Sequence, residues 1–224
     1  MSQRHLEYYR KVYPGIWREK VRRYGVTDYH RRVIAFLRRQ ISSGKDGRAL
    51  EVAIGMGEPI AAGVAGPVRL FGIDIARASL EAARTRLPAV GLVEGSAQRL
   101  PFRGDAFHLV YCLQSSWCLQ DVGRLIGEMT RVASPGGVCV VDLMNRGSPR
   151  VALTQGLMRL RSLATPGLAG FMRQRACDPW KVLAELPPGV AGELRDARDL
   201  DRLAGGWRDR FSPRLVLVFR KSRP

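Results

Sequence analysis

Residues 49–57 read Ala-Leu-Glu-Val-Ala-Ile-Gly-Met-Gly, an apolar strand that carries one acid and runs into a glycine turn. A second strand ends on another acid, at Gly72-Ile73-Asp74. Gly55 and Gly57 lack side chains, so a ligand can lie directly against the backbone. The Asp74 carboxylate can accept hydrogen bonds from both hydroxyls of a ribose. Together the two strand ends read as a holder for a nucleoside-containing cofactor.

Working outward, the chain alternates strands with helices at short spacing. Thr27 and Asp28 offer caps to a helix over Tyr29–Ile41. Its residues Val33, Ile34, Phe36, Leu37 and Ile41 fall within an arc of about 160°. Ser42-Ser43-Gly44 ends that helix. The strand Ala49–Ile54 is followed by a helical segment near Pro59–Val64, a strand Val68–Ile73, a helix Ser79–Leu87, and strands Val90–Glu94 and Phe107–Cys112. A helix over Leu119–Val132 then leads through Pro135-Gly136-Gly137 into a β-branched strand, Val138–Leu143. This alternation predicts a doubly wound α/β fold. Its sheet is expected to be mostly parallel and seven-stranded. Further on, Ser148-Pro149 can start a helix reaching Leu163. Apolar positions go nearly all round that helix, so it is either sandwiched between layers or touches something apolar outside the protein. Glu193–Leu203 reads as a last helix, and Trp207–Phe211 with Leu215–Arg220 as a C-terminal antiparallel hairpin. The expected organisation is a single domain over residues 1–224. It comprises a helical extension (1–48), a cofactor-binding core (49–145), an acceptor-side insertion (146–205) and the hairpin (206–224).

Charge is segregated along this plan. The net charge is +17; residues 1–48 carry +9, residues 49–145 carry −1 and residues 146–224 carry +9. A neutral core between basic flanks points to an anionic partner: a small acidic substrate, a membrane surface or RNA. No secretory signal or membrane-spanning run is present, so a cytoplasmic protein is expected, with peripheral membrane contact through the basic flanks. Cys112, Cys118, Cys139 and Cys177 form no CxxC pair, and His5, His30 and His108 are scattered, so no metal site is expected.

The cofactor class follows from the turn itself. A dinucleotide fingerprint started at Gly55 would place its third glycine where Ile60 stands, and Glu58 would put a negative charge where a pyrophosphate lies. Glu51, two residues before the turn, would likewise repel a phosphate, yet it suits an ammonium group. A phosphate-free cofactor with an amino group fits best.

Four stretches in register resemble the class I S-adenosylmethionine-dependent methyltransferases, in particular those acting on small molecules and lipids. They are Leu50-Glu51-Val52-Ala53-Ile54-Gly55-Met56-Gly57; Phe71-Gly72-Ile73-Asp74-Ile75; Glu94-Gly95-Ser96-Ala97-Gln98-Arg99-Leu100-Pro101-Phe102 with Phe107-His108-Leu109-Val110; and Glu128 through Gly137. The resemblance implies S-adenosylmethionine as cofactor. It implies that Ala53, Gly55 and Gly57 line the methionine part, Glu51 orders the amino group, and Asp74 with Ile75 meets the ribose. Ser96 and Ala97 would meet the adenine, and Leu113 would border the site after the fourth strand. The family's usual Asp is Ser96 here, its usual Phe-Asp is Phe107-His108, and its first loop glycine is Ala53. Its histidine-containing stretch after the fourth strand is replaced by Ser115-Ser116-Trp117-Cys118.

Methyl transfer from a sulfonium is an in-line displacement, so the protein's task is to position donor and acceptor and exclude water. No residue identifies itself as a base. Tyr13, Tyr24, Tyr29, His30 and Trp117 are the candidates to line the acceptor pocket. A small or lipid-like anionic acceptor accounts for the basic flanks and for the arginine-dotted apolar segment after residue 148. RNA would use the same flanks, but Leu113-Gln114-Ser115-Ser116 stands where an Asn-Pro-Pro-Tyr or Asp-Pro-Pro-Tyr motif would be expected. A non-catalytic binding or assembly protein of the same fold is the third reading.

Overall fold

The computed structural model describes residues 7–12, 15–16, 18–19, 23, 25–41, 47–57, 60–65, 68–119, 121–164 and 176–223. Strands β1 (Arg48–Val52), β2 (Arg69–Asp74), β3 (Gly91–Glu94), β4 (Phe107–Cys112) and β5 (Ala133–Met144) alternate with helices α1 (Asp28–Ile41), α2 (Ile60–Val64), α3 (Arg77–Arg86) and α4 (Val122–Val132). Helices α5 (Pro149–Ala164) and α6 (Pro179–Ala184) follow, then strands β6 (Val190–Asp196), β7 (Asp199–Leu203) and β8 (Arg214–Lys221). All eight strands join one sheet in the order β3-β2-β1-β4-β5-β8-β6-β7. The first five are parallel, and β8 enters antiparallel between β5 and β6.

Alternation along each strand divides the core in two. Leu109 and Tyr111 of β4, Val138 and Val140 of β5, and Val216 and Val218 of β8 pack on one face with Val33, Phe36 and Leu37 of α1. Val110, Cys112, Cys139, Val141, Leu215 and Leu217 pack on the other with Leu125, Ile126 and Met129 of α4. Each such side chain, fully buried, contributes about 1.5–3 kcal/mol of hydrophobic stabilisation. The 3.6-residue period of α1 and α4 therefore fixes their docking faces. Asp121 starts α4 by accepting a hydrogen bond from Arg124 N at 2.9 Å. Glu128 and Arg131 are a scaffold pair on its exposed side: Glu128 also accepts from Leu100 N at 2.6 Å, and Arg131 donates to the Leu100 and Phe102 carbonyls.

The sheet departs from the sequence reading at its antiparallel end. It has eight strands, not seven, and Glu193–Leu203 is not a helix but most of the β6–β7 hairpin. The turn is made by Asp196, whose carboxylate accepts from Arg198 N at 2.8 Å and pairs with Arg202 at 2.6 Å. Every residue of β6 finds a partner on β8, from Val190 opposite Lys221 to Asp196 opposite Leu215. Local helical spacing cannot compete with seven such pairings. Trp207–Phe211 is correspondingly a 3-10 turn rather than a strand, closed by Asp209, which accepts from Gly205 N and Gly206 N. Residues 206–224 thus supply one strand and no hairpin, and the 146–205 segment supplies two strands of the sheet rather than an insertion alone.

Strand order reverses at β1, because β2 and β3 lie to one side of it and β4 and β5 to the other. The crevice beyond the carboxyl ends of β1 and β4 is where such sheets bind ligands.

Candidate functional site

At that crevice β1 ends in a turn with three positive φ angles: Ala53 at 61°, Gly55 at 58° and Gly57 at 76°. A Cβ added at Gly55 would meet no protein atom within 4 Å, so the glycine opens onto free space. Gly57 is also closely packed: a Cβ there would lie 2.5 Å from Leu87 Cδ1. Ala53, at the position of the family's first glycine, holds a left-handed conformation at a steric cost of about 1–2 kcal/mol.

Asp74, the last residue of β2, reaches across to this turn. Its Oδ2 accepts from Gly55 N and its Oδ1 from Ala76 N, both at 2.8 Å. A carboxylate with these donors keeps lone pairs available to other hydroxyls. Burial raises the pKa of Asp74, and the backbone N–H groups oppose that shift.

Glu51 sits in register between Gly72 of β2 and Tyr111 of β4. It is buried, and its carboxyl accepts a hydrogen bond from the Tyr111 hydroxyl at 3.0 Å. Burial pushes its pKa up to about 8, the Tyr111 hydrogen bond acts against the shift, and the Asp74 charge adds to it. A buried carboxyl held in this way is matched to a cationic group arriving from the crevice, whose charge would restore the ionised form.

The other residues singled out in the sequence follow the carboxyl ends of β2, β3 and β4. Ile75 follows Asp74, and its carbonyl accepts from Arg10 Nε at 3.3 Å. The N-terminal turn Tyr8–Val12 therefore lies by the ends of β2 and β3, with Arg10 also 3.9 Å from Glu94. Tyr8 is buried there, and its phenol is raised by burial and by the nearby Cys118 thiol. Ser96 and Ala97 lie in the turn after β3, where Ser96 Oγ accepts from Gln98 N at 3.2 Å. Leu113 is buried just beyond β4.

Tyr29 and His30 of α1 come to the ends of β4 and β5, where they meet Asp142 and Gln114. Tyr13, Tyr24 and the side chain of Trp117 lie outside the described residues, as do Glu58 and Pro59. The Tyr29 hydroxyl donates to Asp142 Oδ2 at 3.0 Å. Arg214 stands 3.5 Å from the same carboxylate and 4.9 Å from the centre of the Tyr29 ring. Asp142 also accepts from Gln114 N at 3.0 Å and from Ser116. Gln114 has a φ of 59°, and its amide lies 2.7 Å from His30 Nε2. His30 Nδ1 accepts from Thr27 N at 2.9 Å, and its Nε2 meets the amide nitrogen of Gln114. Burial holds His30 below its ordinary pKa against the Gln114 hydrogen bond, and the Arg214 charge adds to the depression. His108 is exposed on β4 and takes no part.

Tyr111, Gln114 and Asp142 escaped the sequence reading. Asp142 carried the clearest signal, a lone acid inside the run Val138–Leu143. Tyr111 is four residues past Phe107 in a strand, and only its register opposite Glu51 reveals its role.

Residues 50–141 match the family described as a methyltransferase domain. Over those residues the chain is similar to the class I S-adenosylmethionine-dependent methyltransferases. S-adenosylmethionine is accordingly the cofactor. A phthiotriol/phenolphthiotriol dimycocerosates methyltransferase of Mycobacterium ulcerans is 34% identical over 99 residues, which cover 42% of this chain and 36% of that protein. A demethylmenaquinone methyltransferase of Chlorobaculum parvum is 29% identical over 119 residues, 52% of this chain and 49% of that protein. The methyltransferase domain thus aligns with less than half the length of these relatives. A solved methyltransferase of Thermotoga maritima superposes with a TM-score of 0.61 at 16% identity, covering 97% of this chain and all of the other. That likeness extends the shared fold beyond the domain to the antiparallel end of the sheet. Among the described residues no group of three or more His, Cys, Asp or Glu could hold a metal ion.

Proposed function

We propose that the chain is an S-adenosylmethionine-dependent methyltransferase acting on a small or lipid-like, anionic acceptor. The observation that carries this reading is the turn at Gly55, open to free space and bonded through its N–H to Asp74. Bound S-adenosylmethionine supplies an electrophilic methyl group on a sulfonium, open to in-line displacement by an acceptor lone pair. The chain's own residues bind and orient. Glu51, steadied by Tyr111, receives the amino group; Gly55 lets the methionine part lie on the backbone. Asp74 and Ile75 hold the ribose. Ser96 offers a neutral partner to the adenine in place of a carboxylate, and Ala97 and Leu113 close the sides.

The acceptor enters from the side of Tyr29, His30 and Gln114. Arg214 balances Asp142 there, which keeps that wall near neutral and leaves anion attraction to the flanks. The relatives' names specify phthiotriol dimycocerosates and demethylmenaquinone, and a lipid-like acceptor suits the leucine-rich α5. We read residues 1–224 as one domain, because β6, β7 and β8 complete the sheet begun at Arg48. The setting of this reading is cytoplasmic, with peripheral contact at a membrane through the basic flanks.

The test is incubation of the protein with methyl-labelled S-adenosylmethionine and fractionated lysate. Label is expected in the lipid or small-molecule fraction; label confined to RNA or protein, or entering no fraction, overturns the acceptor class.

A further inference from the structure

The chain leaves the sheet after Asn145 and meets it again at Cys177. Asn145 and Cys177 form a β-bridge, Arg146 N donates to the Cys177 carbonyl at 2.8 Å, and Cys177 N donates to the Met144 carbonyl at 2.9 Å. This excursion departs from the carboxyl end of β5, the same edge of the sheet that carries the cofactor crevice.

Helix α5 is its described half. Val151 is buried, whereas Leu153, Leu157 and Leu160 are 65%, 53% and 64% exposed. Spacings of four and three put those leucines within an arc of about 60°, with Val151 on the opposite side. The stripe therefore faces away from the protein. Beside the start of α5 stands the Trp207–Phe211 turn, clamped by Asn145, whose Nδ2 donates to the Arg210 carbonyl at 2.7 Å and the Ser212 carbonyl at 2.9 Å. Trp207 is 71% exposed, Phe211 is half-exposed, and their rings meet edge-on at 6.4 Å. Arg208 lies over the Trp207 ring at 5.4 Å.

Charge decides what covers this surface. From Leu143 to Cys177 the chain has six arginines and no acidic residue. Arg146 and Arg150 are exposed at the base of the leucine stripe. A protein partner needs no such one-sided charge. An exposed leucine stripe and a Trp–Phe pair set among arginines match the boundary between acyl chains and anionic headgroups. No described helix is long and apolar enough to cross a membrane, so this geometry is that of a helix lying in the surface.

We infer that α5 and the Trp207–Phe211 turn form a docking face for an anionic phospholipid bilayer, seating the crevice edge of the sheet against the membrane. The inference builds on the reading of a lipid-like acceptor, for which the face would shorten the path from bilayer to crevice. Its test is separate from the test of donor binding.

The full chain is sedimented with vesicles of phosphatidylcholine alone and of phosphatidylcholine with one-quarter phosphatidylglycerol. Binding is expected only to the anionic vesicles, falling at least tenfold between 50 and 500 mM salt. The double substitution Leu153→Glu with Leu157→Glu should lower partitioning at least tenfold, and Trp207→Phe should remove a blue shift of tryptophan emission seen on binding. Both variants should keep the wild-type melting temperature and its rise with S-adenosylmethionine, since the altered side chains are exposed. Failure of wild type to bind anionic vesicles, or equal binding by the leucine variant, overturns the docking face. A wild-type dimer in light scattering that the leucine variant converts to monomer assigns the stripe to a second copy and also overturns it. Vesicle binding with no response to S-adenosylmethionine would leave the face standing and refute the donor site.

Discussion

Glu51→Gln should stabilise the ligand-free protein at alkaline pH while weakening its hold on the donor. In the folded chain Glu51 keeps its proton up to about pH 8, whereas unfolded it ionises near 4.5. Between those values the folded state binds more protons than the unfolded one, so this group's contribution is fully present below about 4.5 and declines as pH rises towards 8. At about 1.4 kcal/mol per unit, the loss by pH 7.5 is about 4 kcal/mol. Glutamine cannot ionise and escapes this loss, and its oxygen still accepts from the Tyr111 hydroxyl. Its amide donors, buried among the strand ends, return about 1–3 kcal/mol of penalty. The net gain at pH 7.5 is then about 1–3 kcal/mol, or a rise of roughly 2–12 °C in melting temperature for a chain of this size. At pH 5 the gain should vanish or reverse. Urea or thermal unfolding of both proteins at pH 5 and 8, without donor, reads this directly. A stability difference that stays the same at both pH values would refute the assignment of Glu51 as a buried, protonated acid.

Three further outcomes follow from the same geometry. Tyr111→Phe removes the only hydrogen-bond donor to the Glu51 side chain among the described residues; it should cost about 1–3 kcal/mol in denaturant unfolding and raise the Glu51 pKa further. Ala53→Gly relieves the positive φ at 61°, so it should stabilise by about 1 kcal/mol in the same assay, and a loss of stability would show that the Ala53 methyl group packs usefully. Leu37→Ala, in the face of α1 that covers β4 and β5, should cost about 2–5 kcal/mol; a cost under 1 kcal/mol would mean that α1 docks only loosely.

The parallel half of the fold was legible because each of its elements is strongly patterned. The turn at 53–57, Asp74 at the end of β2, and the apolar faces of α1 and α4 all stand where their sequence periods place them. The β6–β8 end was not legible, since Glu193–Leu203 has spacings that suit a helix as well as a strand. Pairing with β8, a contact across about 25 residues, decides between them. The same distinction separates the site residues. Glu51, Gly55 and Asp74 announce themselves by breaking a local pattern: an acid in an apolar strand, a glycine at its end, an acid at the next strand end. Tyr111, Gln114 and Asp142 act through partners 26 to 113 residues away, which no local pattern reveals. Gly57 adds a constraint that only the fold shows: besides its φ of 76°, Leu87 fills the space a Cβ would take.

The most direct test is calorimetric titration of the full chain with S-adenosylmethionine, alongside Asp74→Ala. Saturable binding with a stoichiometry of one, reduced at least a hundredfold or lost in the variant while its fold is retained, is the predicted result. Absence of binding at millimolar donor, or unchanged affinity in Asp74→Ala, would contradict the placement of the methyl donor at the Gly55 turn.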